Sequence, residues 1–232
     1  MNDIGTLYIV ATPIGNLEDI TLRALRILKE VDVILCEDTR TTKKLLSKYD
    51  IHTKTMSYHA HSTVGKESAI VRMLSEGKNL ALVSDAGTPC ISDPGVLLVQ
   101  NTREILGDDV KIVPIPGASA LVTALSASGI STAEFVFLGF LPHKKGRETL
   151  FKEIAISKRV MVFYESTHRI LKTLESLNKY SPNVTVVIGR ELTKQFEEFV
   201  RGTPNELLEY FTVNNDKQRG EFVVIIDPKQ KI

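Results

Sequence analysis

Short apolar runs alternate with longer amphipathic stretches along most of the chain. Residues 6–11, 33–36, 79–84 and 110–115 are aliphatic or β-branched runs bounded by turn formers, the pattern of buried strands. Between them, Leu22, Leu25 and Leu28 recur at helical spacing within 20–29. Ile70, Met73 and Leu74 mark one side of a helix over 64–76 that Gly77 stops. Residues 41–48 and 95–106 read as further helices. Strands alternating with helices predict a largely parallel sheet covered on both faces. Right-handed crossovers then line the strand carboxyl ends along one edge, where ligands usually bind. The loops after Val10, Cys36, Ser84 and Ile115 are therefore the candidate binding loops.

The second half repeats the alternation in a different texture. Residues 134–141, 159–165, 184–189 and 221–227 read as strands, and 118–127, 147–156, 168–177 and 204–211 as helices. A Pro/Gly cluster at Gly117 predicts two α/β domains, 1–117 and 118–232. The first is expected to carry the mainly parallel sheet and the second a mixed one.

Composition narrows the classes. With 43% apolar and 25% charged residues, the 232-residue chain can bury real cores and is neither disordered nor fibrous. Lys plus Arg is 29 and Asp plus Glu is 28, a net charge of +1. That excludes a blanket of positive charge and leaves room for a local basic patch. Cys36 and Cys90 stand far apart without a C-x-x-C, so a cysteine zinc site is excluded and free thiols in a reducing cytoplasm are expected. The first residues hold no basic stretch followed by an apolar run, so no secretory signal is expected. Residues 112–133 lack any charge. They include Pro114, Pro116, Gly117 and Gly129 with six Ser or Thr, too polar and broken for a membrane span. They read as buried, ligand-lining or interface chain, and no membrane association is expected.

Familiar signatures are missing. The 14 glycines never stand two apart, so no G-x-G-x-x-G exists, and there is no Walker loop, G-x-S-x-G or H-E-x-x-H. His59 and His61 form an H-x-H pair with no third ligand in sight, so no metal site is expected.

Four strand-end loops carry the chemistry. ATPIGN after the first strand combines Pro13 and Gly15 in a tight turn that brings backbone close to a ligand. CEDTRTT packs Glu37, Asp38, Arg40 and three hydroxyls. Asp38 or Thr39 is expected to cap a helix, and Arg40 is suited to hold a phosphate in a bidentate contact. SDAGTPCISDPG places two Pro and two Gly in twelve residues, a rigid loop able to clasp an adenosine or amino-acid moiety. Ser92 or Asp93 is expected to cap the helix after it, with Pro94 at its first position. PIPGASA leads into a helix of small residues that lets a ligand or another backbone approach closely. In the second half, FYESTHR and GRELTK end strands in polar clusters, read either as solvated ion pairs or as parts of a shared cleft. HKKGR, with Lys144, Lys145 and Arg147, is the densest basic segment. Phe137, Phe140 and Phe151 lie around it, and such cations suit nucleic-acid phosphates.

Taken in order, TPIGNLEDITLRAL, CEDTRTT, SDAGTPCISDPG, PIPGASA, GFLP, FYESTHR and RELTK resemble one family over nearly the whole chain. It is the family of ribosomal RNA ribose 2′-O-methyltransferases that share the tetrapyrrole-methylase fold. The resemblance implies two α/β domains with S-adenosylmethionine held in the cleft between them. Its cofactor contacts fall on Pro13, on Gly87, Thr88, Pro89 and Ile91, on Leu125 and Ser126, and on Tyr164. It further implies a homodimer and methylation of a cytidine ribose in the decoding region of small-subunit rRNA. Cys90 stands where members commonly have Gly, Ala118 and Thr167 where Pro is common, and many members carry a further C-terminal segment.

Methyl transfer from a sulfonium needs alignment, exclusion of water and a proton acceptor. The strand-end acids are Glu37, Asp38, Asp85, Glu165 and Glu191. Asp85 or Glu37 is expected to assist catalysis, and Arg40 and Arg190 to position rRNA phosphate. Two other readings compete: a small-molecule methyltransferase of the same fold acting on a tetrapyrrole, and a non-catalytic RNA-binding assembly protein.

Overall fold

The computed structural model describes residues 4–59 and 64–230. The chain falls into two compact units, Met1–Ser119 and Ala120–Ile232.

The first unit is a five-stranded, wholly parallel sheet of β1 (Thr6–Val10), β2 (Val33–Cys36), β3 (Lys54–Ser57), β4 (Leu80–Val83) and β5 (Lys111–Ile115), in the order β3-β2-β4-β1-β5. β2 and β4 are buried at every position, which is why they read as unbroken apolar runs. Helices α1 (Leu22–Glu30) and α2 (Thr39–Lys48) cover one face, packing Ala24, Ile27, Leu28 and Leu46 on Val10, Ile34, Ala81 and Val83. Helices α3 (Val64–Ser75) and α4 (Val96–Leu106) cover the other, with Ile70, Leu74 and Leu98 on Leu7, Leu35, Leu80 and Leu82. Thr21 caps α1 by accepting the Ala24 N–H at 3.1 Å. Pro114, which cannot donate to a ladder, sits in β5 at the sheet edge.

The second unit begins with α5 (Ala120–Ala127). Its sheet is mixed, in the order β6-β7-β10-β8-β9, from β6 (Phe135–Phe140), β7 (Val160–Ser166), β8 (Val184–Arg190), β9 (Glu198–Gly202) and β10 (Glu221–Gln230). Only β6 and β7 run parallel; the other neighbours are antiparallel. α6 (Arg147–Ile156), α7 (Ile170–Tyr180) and α8 (Pro204–Val213) share a core with one face of this sheet, built on Phe151, Leu174, Phe211, Phe163, Ile188 and Val224. α5 packs against β10.

Two strands escape the sequence pattern. β3 (KTMS) and β9 (EFVRG) are short, charged edge strands held by one neighbour each. Their β structure is imposed by the ladder of β2 and β8, not by their own apolar content.

Candidate functional site

The strand order of the first unit selects one edge position. β4 lies between β1 and β2, and both of those strands continue into helices on one face of the sheet. β4 continues into α4 on the other face. Neighbouring strands whose connections part to opposite faces open a crevice at their carboxyl ends, the usual ligand position in such sheets. The SDAGTPCISDPG loop springs from that point.

Three loops cross there, each through a small residue. Thr12 and Gly87 form an isolated antiparallel bridge, Thr12 N–H to Gly87 O at 2.8 Å and Gly87 N–H to Thr12 O at 3.0 Å. The Thr12 hydroxyl donates to Ser84 O at 3.1 Å. Thr88 Oγ1 donates to Ala118 O at 3.2 Å. A Cβ on Gly117 would stand 3.0 Å from the Ala11 Cβ, and one on Gly87 3.4 Å from Ile14 Cγ2. Pro13 and Pro89 are buried in the crossing, Thr88 is half-buried and Ile91 is exposed. The loop holds unusual backbone: Gly87, Cys90, Ser92 and Gly95 have φ of 83°, 70°, 63° and 130°. Cys90, in a position suited to glycine, is half-buried against the β4 core, and both cysteines are free thiols. Neither Ser92 nor Asp93 caps α4. Gly95 is the cap, without a side-chain bond, because the turn brings the helix start directly over Leu82 where no side chain fits.

Carboxylates gather on the same edge. Asp85 Oδ1 accepts the Asp38 N–H at 3.0 Å, tying the loops after β2 and β4. Asp38 caps α2 by accepting the Arg40 N–H at 2.8 Å. It also pairs with the Arg40 guanidinium, Nη2 to Oδ2 at 2.7 Å and Nε to Oδ1 at 3.1 Å, while the arginine side chain stays exposed. These hydrogen bonds hold the Asp38 carboxyl at about 2. Burial, and then the Asp85 charge, push Glu37 up, with His59 opposing. Burial, followed by Glu37 and Asp85, pushes Asp93 up to about 6. Glu37, Asp85 and Asp93 thus form one interacting cluster, and Asp93 joins it by a route the sequence reading missed. Among the described residues, no group of three or more His, Cys, Asp or Glu is placed to hold a metal; His61 lies outside the described residues.

In the second unit, Leu125 is buried and Ser126 is exposed on α5, its hydroxyl donating to Thr123 O at 2.8 Å. Tyr164, near the carboxyl end of β7, meets the rings of Phe137 and Phe140 at 5.0 and 5.4 Å. Lys144 and Lys145 are exposed on the β6–α6 loop. Arg147 is turned inward, with Nη2 donating to Thr173 Oγ1 at 2.7 Å and its guanidinium 5.0 Å from the Phe151 ring centroid. Arg190 is 8% exposed; it donates to Arg219 O at 2.9 Å and Phe196 O at 3.1 Å. It borders a cleft of about 590 Å³ lined also by Glu198, Lys217 and Arg219. Glu165, read from sequence as part of a polar cluster, is 1% exposed and bonded on both oxygens. Strand alternation was the available signal: Glu165 shares a face with the buried Met161 and Phe163. Nothing in the sequence marked Thr173.

Residues 6–208 match the family described as Tetrapyrrole (Corrin/Porphyrin) Methylases. A Halalkalibacterium halodurans protein named ribosomal RNA small subunit methyltransferase I is 50% identical over 229 residues, covering 97% of this chain and 77% of that protein. The Haemophilus influenzae protein of the same name is 46% identical, over 100% of this chain and 82% of its own length. Among solved structures, the chain is similar to uroporphyrin-III C-methyl transferase from Thermus thermophilus complexed with S-adenyl homocysteine. That TM-score is 0.65 at 18% identity, with 96% of this chain and 97% of that one covered. The methyltransferase CobJ gives 0.67 at 17% identity, covering 96% and 94%. At these identities the two structures share the fold.

Proposed function

The chain belongs to the tetrapyrrole methylase family, and from that premise we propose that it methylates small-subunit rRNA with S-adenosylmethionine, at the ribose 2′-hydroxyl of a cytidine in the decoding region. The observation that carries the substrate class is the 50% identity, over 97% of this chain, to a protein named for small-subunit rRNA methylation.

The residues fit the cofactor on two grounds. The loop crossing sets Gly87, with φ of 83°, and Gly117, where a Cβ would crowd Ala11 at 3.0 Å, at the crevice, and glycines there let a ligand approach the backbone closely. The edge beside it carries Glu37, Asp85 and Asp93, and the Arg40 guanidinium there is paired with a fourth carboxylate, Asp38. A ligand with a sulfonium and an ammonium suits that excess of negative charge. Pro13, Gly87, Thr88, Pro89 and Ile91 of the first unit would hold it; the family resemblance also assigns cofactor contacts to Leu125, Ser126 and Tyr164. S-adenosylmethionine supplies an electrophilic methyl group. Asp85 or Glu37 would take up the proton that the ribose hydroxyl loses, and the elevated basicity of Glu37 suits it to the task. Lys144 and Lys145 meet RNA phosphates directly. Arg40, exposed beside Asp38, meets RNA phosphate with them, while Arg147 and Arg190 are held by protein groups and orient the elements beneath the RNA.

The reading includes a cytoplasmic enzyme and a homodimer that buries the uncharged segment 112–133; a one-chain mass across micromolar concentrations overturns the dimer. Among the described residues, no helix is long and apolar enough to cross a membrane. The test of function is transfer of labelled methyl to small subunits lacking decoding-region ribose methylation, and to naked rRNA from them. Label at a cytidine 2′-oxygen is the expected result. Cofactor binding with no label in either substrate overturns it in favour of a small-molecule acceptor.

A further inference from the structure

A buried ionic network in the second unit has no part in the chemistry above. The Glu165 side chain is fully buried at the end of β7. Its Oε2 accepts from Thr173 Oγ1 at 2.6 Å, and its Oε1 accepts the Ser166 N–H at 2.9 Å and stands 3.1 Å from Arg169 Nε. Arg147 Nη1 lies 3.9 Å from Oε2, while its Nη2 donates to the same Thr173 hydroxyl. One carboxylate and two guanidiniums have left water here, an arrangement that costs more than it stabilises unless every group is satisfied.

The spare donors of the two arginines converge on one target. Arg169 Nη2 donates to Leu141 O at 2.5 Å, and Arg147 Nη1 donates to Pro142 O at 3.3 Å. Arg169 Nη1 is 3.5 Å from the His143 ring nitrogen, and the Arg147 N–H donates to Lys144 O at 3.2 Å. The network therefore grips the backbone of the β6–α6 loop from beneath, while Lys144 and Lys145 stand exposed on its outer side. A charged clamp fixes direction as well as position, and a loop whose backbone is fixed before binding spares the entropy of ordering that backbone.

We propose that Glu165 is a positioning residue for RNA: through Arg169 and Arg147 it sets the β6–α6 loop so that Lys144 and Lys145 meet consecutive phosphates. This rests on the rRNA reading above. Tyr164 points to the opposite face of β7, so cofactor binding is separable from the clamp.

The test is a double-mutant cycle on RNA affinity across a salt series, with Glu165→Gln crossed against the Lys144→Ala/Lys145→Ala pair. The lysine pair is expected to weaken binding and lower the log–log salt slope by roughly 2. Glu165→Gln is expected to weaken binding about tenfold, the cost of ordering the loop backbone at the moment of binding. Its effect should fall on KM for RNA rather than kcat, with S-adenosylmethionine affinity within about twofold of wild type. In the lysine-less background, Glu165→Gln should have no further effect. Equal losses in both backgrounds, or an unchanged KM for RNA, overturn the proposal. If Glu165→Gln does not fold, Thr173→Val removes one contact to the carboxylate and is read by the same criteria. A lysine pair without effect on affinity overturns the loop as RNA contact. The methyltransferase reading is judged separately, by label transfer with the unaltered protein.

Discussion

Replacing Gly95 with Ala tests whether the shape of the β4–α4 loop is dictated by what lies beneath it. Gly95 has φ of 130°, a region that L residues avoid. A Cβ there would stand 2.6 Å from Leu82 Cδ2 and 2.8 Å from Cys90 Sγ. Leu82 is 1% exposed in the middle of β4 and has no room to retreat. The backbone conformation costs about 1–3 kcal/mol and overpacking about 1–3 kcal/mol, so a loss near 3 kcal/mol is expected. Amide hydrogen exchange of β4 reads that loss directly as a rate increase of roughly 150-fold, at a factor of ten per 1.36 kcal/mol. S-adenosylmethionine affinity should fall with it, because the same loop carries Gly87, Thr88 and Pro89. Adding Cys90→Ala removes one of the two colliding atoms and should restore about 1 kcal/mol, a coupling expected only of residues in contact. Exchange within threefold of wild type, or no recovery in the double variant, would refute the steric argument.

Asp93→Asn should stabilise the protein at pH 8. The native Asp93 carboxyl is held at about 6, against 3.8 in the unperturbed group, so native stability falls as pH rises toward and through 6. The gain from Asn, about 1 kcal/mol after allowing for solvent screening, should shrink by about half at pH 5. Equal gains in denaturant midpoint at the two pH values would contradict it. Thr203 and Glu206 form a capping box at the start of α8, with Thr203 Oγ1 accepting the Glu206 N–H at 3.3 Å and Glu206 Oε2 accepting the Thr203 N–H at 2.7 Å. Thr203→Ala should cost about 1 kcal/mol in urea unfolding with an unchanged slope, and Thr203→Ser should retain most of it.

The linear pattern determined the order of elements and the position of the candidate cofactor loops. Parallel strands buried on both faces must be apolar throughout, so β1, β2 and β4 announce themselves. The turns that follow must be rich in Pro, Gly and small polar residues, so ATPIGN, CEDTRTT and SDAGTPCISDPG stand out beside them. That local logic extends to Asp38 as a helix cap, a bond that spans two residues. It did not reach β3 and β9, whose strand conformation is supplied by a neighbour's hydrogen bonds. Nor did it reach the environment of the charged side chains. Arg190 is satisfied by the carbonyls of Phe196 and Arg219, Arg147 by Thr173, and Glu165 by Thr173 and Arg169. Asp93 is shifted by burial and then by Glu37, which lies 56 positions earlier in the chain. A charge looks the same in the sequence whether it faces water or is buried. Only the folded chain brings distant donors and acceptors to it, and that pairing decides whether an arginine faces solvent or is held against the backbone of a neighbouring loop.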